Sequence, residues 1–107
     1  MPESQCIRVK LRPGKTEEFL RWAKTLSSRD NEVHDALRTE EILAENIFLE
    51  RSAAGDFILF YTKAKNLLRA NQIFASSVHP LDVEAKAVIA STWDLSTLQR
   101  LELVVDL

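Results

Sequence analysis

The sequence predicts an α+β domain in which helices cover one face of a four-stranded antiparallel sheet. Three observations lead there. Gln5 to Leu11 and Leu98 to Leu107 alternate apolar and polar residues with the period of a half-buried strand. Two runs rich in β-branched and aromatic residues, Ile42 to Arg51 and Asp56 to Lys63, flank the short connector Ser52-Ala53-Ala54-Gly55 as the arms of a hairpin would. The remaining segments carry apolar residues at helical spacing.

In the first strand Ile7, Val9 and Leu11 point one way and Cys6, Arg8 and Lys10 the other. Pro13-Gly14 breaks it. Thr16, followed by Glu17 and Glu18, supplies a capping residue with acidic groups where the helix dipole favours them. Phe19, Trp22, Ala23 and Leu26 form that helix's apolar stripe, which Ser27 to Asn31 interrupts. Asp30 or Asn31 can cap a second short helix with the stripe Val33, Ala36 and Leu37.

If Ser52 stands opposite Phe57 in the hairpin, Glu50 faces Leu59, Phe48 faces Tyr61 and Asn46 faces Lys63. Ile47 with Thr62 and Leu49 with Phe60 then make the drier face. Ala64 to Ser77 reads as an amphipathic helix that ends at Val78-His79-Pro80, because a residue before proline avoids helical geometry. Pro80 to Thr92 reads as another, with Pro80 at its first position and Asp82 and Glu84 in its first turn. Leu101, Leu103, Val105 and Leu107 share one side of the last strand.

Composition narrows the function. A chain of 107 residues with 46% hydrophobic residues has room for one core, so a single domain over residues 1–107 is expected. The 14 basic and 16 acidic residues nearly cancel, which argues against nucleic acid or an anionic membrane as partner. Cys6 is the sole cysteine, so no internal disulfide or multi-cysteine metal site can form, and a cytoplasmic location is the default expectation. No apolar run resembles an export signal core or a membrane span.

The order strand, helix, strand, strand, helix, strand is that of the ferredoxin-like βαββαβ fold. Its uncovered sheet face would hold Arg8, Asn46, Phe48, Glu50 and Tyr61, too apolar to be left in water, and pairing two sheets about a two-fold axis would bury it. The runs RVKLRPGKTEEF, IFLERSAAGDFILFYTKA and SSVHPLD resemble an uncharacterised bacterial family of the dimeric α/β-barrel superfamily, which includes antibiotic-biosynthesis monooxygenases, muconolactone isomerase and haem-degrading monooxygenases. The likeness spans Ile7 to Trp93 and implies a homodimer in which two sheets form a barrel. Members of such a family often carry a second histidine one turn after the aspartate. Here Ala85 and Lys86 occupy that region, against a paired-histidine metal site.

The candidate site residues form two sets. His79 with Asp82 has the composition of a general acid–base unit, although a turn histidine and a helix-start aspartate also suit helix initiation alone. On the strands, Arg8 can hold an anionic or carbonyl group, Tyr61 can donate a proton and Glu50 can act as base, with Phe48 beside them as an aromatic wall. The alternative is an Arg8–Glu50 ion pair and an interfacial Tyr61. His34 reads as a surface residue, Cys6 as inert, and no spacing calls for a metal or other cofactor. Gly14 and Gly55 sit in turns, so no phosphate-binding glycine loop is present.

The sequence thus points to a homodimeric α/β barrel binding a small organic molecule between sheet and helices. A non-catalytic dimerisation module is the alternative, and the family likeness adds a cofactor-free monooxygenase or isomerase.

Overall fold

The computed structural model describes residues 1–107. Its elements are β1 (Glu3–Leu11), α1 (Thr16–Thr25), a 3-10 turn at Leu26–Ser28, α2 (Asp30–Thr39), β2 (Ile42–Ser52), β3 (Gly55–Ala64), α3 (Leu67–Ser76), α4 (Pro80–Thr92) and β4 (Trp93–Arg100). The strands form one sheet in the order β2-β3-β1-β4, antiparallel throughout. This is the expected ferredoxin-like arrangement.

Alternation in β1 works as read. Val9 and Leu11 are buried on the helix side with Phe19 of α1, Ile58 of β3 and Trp93 of β4. The Phe19 and Phe60 rings tilt against the Trp93 indole at centroid distances of 6.0 and 6.1 Å. Such edge-on contacts add to the burial of large apolar area. On the other side Arg8 and Lys10 pair in register with Leu59 and Phe57 of β3.

The hairpin is tighter than expected. Ser52 pairs with Gly55, so Glu50 faces Phe57, Phe48 faces Leu59 and Asn46 faces Tyr61. The turn needs only Ala53 and Ala54 because Gly55 adopts a φ of +124°, which a side-chain-bearing residue rarely takes. The register thereby slips two residues from the one anticipated, and since side chains alternate with period two, every residue keeps its face.

Helix starts also differ in detail. Thr16 is the first helical residue, and its hydroxyl donates to Asp56 at 2.7 Å instead of capping. Asp30 likewise lies in the first turn of α2, behind the N-cap Arg29. The third helix begins at Leu67, later than Ala64, because Ala64 is still paired in the sheet and Asn66 caps the helix by accepting from the Arg69 N–H at 2.8 Å.

The last strand departs most from expectation. It begins at Trp93 and ends at Arg100, with a register shift opposite β1 between Lys10 and Arg8 where Thr97 Oγ1 accepts the Lys10 N–H at 2.8 Å. Beyond it, Leu101 N–H still donates to Cys6 O at 2.9 Å, but residues 101–107 have no regular structure and expose Leu103, Val104, Val105 and Leu107. Their alternation has no sheet partner within this chain. No helix is long and apolar enough to cross a membrane.

Candidate functional site

A cavity of about 230 Å³ lies between the sheet and the helices. Of its 22 lining residues 16 are hydrophobic, so the wall favours a carbon-rich occupant over water. Trp22, Phe60, Phe74 and Trp93 supply aromatic surface, with Leu81 and Ile89 from α4. The helical side is fastened by ion pairs: Arg29 donates to Glu84 at 2.8 Å and to Glu32 at 2.8 Å, and the Trp22 indole N–H donates to the same Glu84 at 2.6 Å. Arg29 is the first cause holding the Glu84 and Glu32 carboxyls below the ordinary carboxylate range.

Three acidic residues enter this apolar wall. Glu40 follows α2 and is 4% exposed, Asp82 stands in the first turn of α4 at 6%, and Glu45 belongs to β2. Glu40 is set by the next residue. Glu41 turns the chain from α2 into β2 with a φ of +57°, held there by its carbonyl accepting the Lys65 N–H at 3.2 Å and by its ion pair with Arg69 at 3.3 Å. A left-handed glutamate costs about 1–2 kcal/mol relative to glycine, so these contacts maintain the bend that buries Glu40.

The surroundings move two of these carboxyls toward neutrality. Burial raises Glu40 to about 8, reinforced by the negative charge of Asp82 and then that of Glu45, with Asp82 also within hydrogen-bonding reach. Glu45 is raised to about 7, first by the desolvating walls around its carboxyl and then by Asp82. Because water still reaches Glu45 while it lines the cavity, it stands at the mouth. No arginine, lysine or backbone N–H bonds to any of the three. The nearest cation, Lys86, donates instead to the carbonyls of Ala75 at 3.2 Å and Ser77 at 2.9 Å. One more group is unmatched: the indole N–H of Trp93, buried in the same wall, has no acceptor.

Of the residues the sequence singled out, only Asp82 lines this cavity. It bonds to no free amide of its helix; His79 takes that role, its Nδ1 accepting from the Leu81 N–H at 3.2 Å. With Nδ1 accepting, the neutral ring carries its proton on Nε2, which donates to Asp35 of α2 at 3.0 Å. His79 is therefore oriented by Asp35, not by Asp82. Arg8, Phe48, Glu50 and Tyr61 all stand on the opposite, uncovered face of the sheet. There Arg8 is ion-paired to Glu50 at 3.0 Å and stacked 3.7 Å over the Phe57 ring, Tyr61 shares a hydrogen bond with Ser4 at 3.3 Å, and Phe48 is 58% exposed. The sheet separates them from His79, so the two sets do not converge. His34 is exposed on α2, as its sequence position suggested.

Glu40 and Glu45 were not among the anticipated site residues, though both left a trace in the pattern. Glu45 has the parity of Ile47 and Leu49, which places a carboxylate on the drier face, and Glu40 extends the stripe Val33, Ala36, Leu37 by one more helical step.

Fold and cavity together define a ferredoxin-like protein with an acidic, aromatic-walled hollow beneath its helical layer. The chain belongs to DUF6176, a family of unknown function whose model matches residues 2–107. A solved structure similar to it is a dimeric protein of unknown function and ferredoxin-like fold from Bacteroides fragilis NCTC 9343, with 20% sequence identity, a TM-score of 0.54, and coverage of 94% of this chain and 92% of that one. No curated protein matches. A family without an assigned activity is what the motifs pointed to, and the wider likeness to monooxygenases and isomerases has no counterpart in these comparisons.

Proposed function

We propose that this protein is a homodimer that binds a small organic molecule in the cavity between sheet and helices. The observation that carries the reading is the cavity itself: an apolar hollow with a few convergent polar groups, two of them shifted toward neutral pKa, is the usual form of a ligand site. Its volume lies below the roughly 300–1,000 Å³ of drug-sized sites, which favours a small ligand. Asp82 is retained as a ligand-facing residue, while Arg8, Phe48, Glu50 and Tyr61 belong to the proposed dimer interface.

Ala85→Phe tests the site. Ala85 lines the cavity from α4, and a phenyl group there fills the hollow. Small aromatic compounds that raise the melting temperature of the parent protein are expected to lose that effect in the variant while its fold, read by circular dichroism, persists. A parent protein that responds to no compound in such a panel refutes the binding reading.

The homodimer rests on the uncovered sheet face, where Phe48, Phe57, Leu59 and Tyr61 surround the Arg8–Glu50 pair, and on the exposed apolar side chains Leu101, Leu103, Val104, Val105 and Leu107 that follow β4. The dimeric description of the similar Bacteroides protein supports it. Light scattering is expected to give twice the chain mass for the parent and the single-chain mass for Phe48→Arg. A monomeric parent at micromolar concentration removes the dimer from the proposal.

A further inference from the structure

Residues 101–107 read Leu-Glu-Leu-Val-Val-Asp-Leu and alternate as a strand does, yet Leu103, Val104, Val105 and Leu107 are exposed and no strand of their own chain pairs with them. The register limits what β1 can offer. Arg100 stands opposite Ile7 and the Leu101 N–H donates to Cys6 O, so the next partners along this antiparallel ladder are Gln5, Ser4 and Glu3, then Pro2, which has no N–H. The same register sets Leu101 on the open face of the sheet, in a row with Cys6 of β1, Tyr61 of β3 and Asn46 of β2. The apolar segment therefore leaves the sheet from the face assigned to the dimer.

Across that sheet a strand lacks a neighbour. β2 is bonded to β3 alone, and no hydrogen bond from the chain meets the backbone of Glu45 to Glu50 on its outer side. From Ala44 to Ser52 its ladder is regular, and it carries neither proline nor lysine, which commonly guard an edge. The other edge, β4, is blunted: its ladder shifts register, and the Asp94 carboxylate accepts the Ser96 N–H at 3.2 Å.

Resting on the homodimer proposed above, we infer that residues 101–107 of each protomer pair as an added strand along the outer edge of β2 in its partner, so that each sheet gains a fifth strand from the other chain. Main-chain hydrogen bonds join the two edges, and the alternate side chains set the fit. The lengths agree. Seven extended residues span about 23 Å at about 3.3 Å each, and sheets packed face to face lie about 10 Å apart, which leaves roughly four residues to pair. The added strand turns Leu103, Val105 and Leu107 toward the space between the sheets, the side on which the Phe48 ring stands exposed.

The test follows β2 amide exchange by NMR and dimer dissociation by sedimentation equilibrium. It compares the 107-residue chain with a chain ending at Arg100 and with Leu103→Pro and Val104→Pro. N–H groups alternate in direction along a strand, so one of the two prolines removes a ladder bond whichever side meets β2. In the parent dimer the outward amides of β2 are expected to be protected. Ending the chain at Arg100, or placing proline at one of the two positions, should expose them and raise the dissociation constant at least about tenfold. An isotope-labelled chain ending at Arg100 should regain that protection when mixed with the unlabelled parent, because the partner supplies the strand. A parent dimer whose outward β2 amides exchange freely overturns the strand exchange and leaves the homodimer standing. So does protection that survives loss of residues 101–107 or both prolines, or that the unlabelled parent fails to restore. A monomeric parent overturns both readings.

Discussion

The two faces of the sheet are built from the same strands yet have opposite chemistry. On the helix-covered face Val9, Leu11, Ile58 and Trp93 exclude water, and Glu40 and Asp82 enter within hydrogen-bonding reach of each other but with no cation bonded to either. On the open face Arg8 and Glu50 satisfy each other at 3.0 Å in partial contact with solvent. An ion pair at that exposure contributes little, about 0–1 kcal/mol. A carboxyl buried in a dry wall with no cation bonded to it is a larger perturbation, and it is what raises Glu40 to about 8. The contrast teaches that conspicuous polar residues on strands can be a settled pair, while the stronger electrostatic perturbation lies with carboxyls buried behind the sheet.

The largest expected break of this asymmetry is Ile58→Ala. Ile58 is 0% exposed at the centre of the covered face, and its truncation is expected to cost about 2–5 kcal/mol in urea unfolding. Phe48→Ala, on the other face, should cost under about 0.5 kcal/mol in the monomer, with any further loss growing with protein concentration. Equal, concentration-independent losses at the two positions would erase the distinction.

Glu40→Gln comes next and has a sign fixed by linkage. The ordinary glutamate value is 4.5, whereas Glu40 in the folded chain holds its proton to about 8. Between those limits the unfolded chain releases a proton that the native chain keeps, so this residue makes stability fall as pH rises, by at most about 1.4 kcal/mol per pH unit. The glutamine variant should flatten that slope and be more stable than the parent by about 1–3 kcal/mol at pH 8, with little difference at pH 4. A variant less stable at pH 8 would show that Glu40 is ionised and compensated in the fold.

Gly55→Ala probes the turn that sets the hairpin register. A Cβ there would meet the Lys10 Cε at 2.5 Å, which that flexible side chain can vacate, so the φ of +124° supplies the main cost. A loss of about 1–2 kcal/mol is expected by thermal unfolding. The smallest effect belongs to Arg8 and Glu50: a double-mutant cycle to alanine and glutamine in the monomer should give a coupling of about 0.2–1 kcal/mol, reduced by salt. A coupling of several kcal/mol would mean that the pair is buried, as a dimer interior would make it.

Much of this architecture was legible because it follows local rules. Alternation in Ile7, Val9 and Leu11 marked the covered face, the Pro80 start and Thr92 end of α4 follow from proline geometry and periodicity, and Gly55 announced the hairpin. Less was legible about the site. His79 and Asp82 are three residues apart and looked like a working pair, but the helix start sends one to Asp35 and the other into the cavity. Arg8, Glu50 and Tyr61 share a face as expected, yet parity along a strand does not say which face will be hollow.

The sequence by itself determined the order of elements, the face on which each strand residue lies and the helix-covered side of the sheet, since these depend on periods of two and 3.6 residues along a continuous chain. Tertiary structure alone decided the hairpin register, the start of β4 at Trp93 and the meeting of Glu40, Glu45 and Asp82 from three elements around one cavity. Those depend on how layers pack. Burial and the proximity of like charges, which move Glu40 and Glu45 toward neutrality, exist only once distant segments have been brought together.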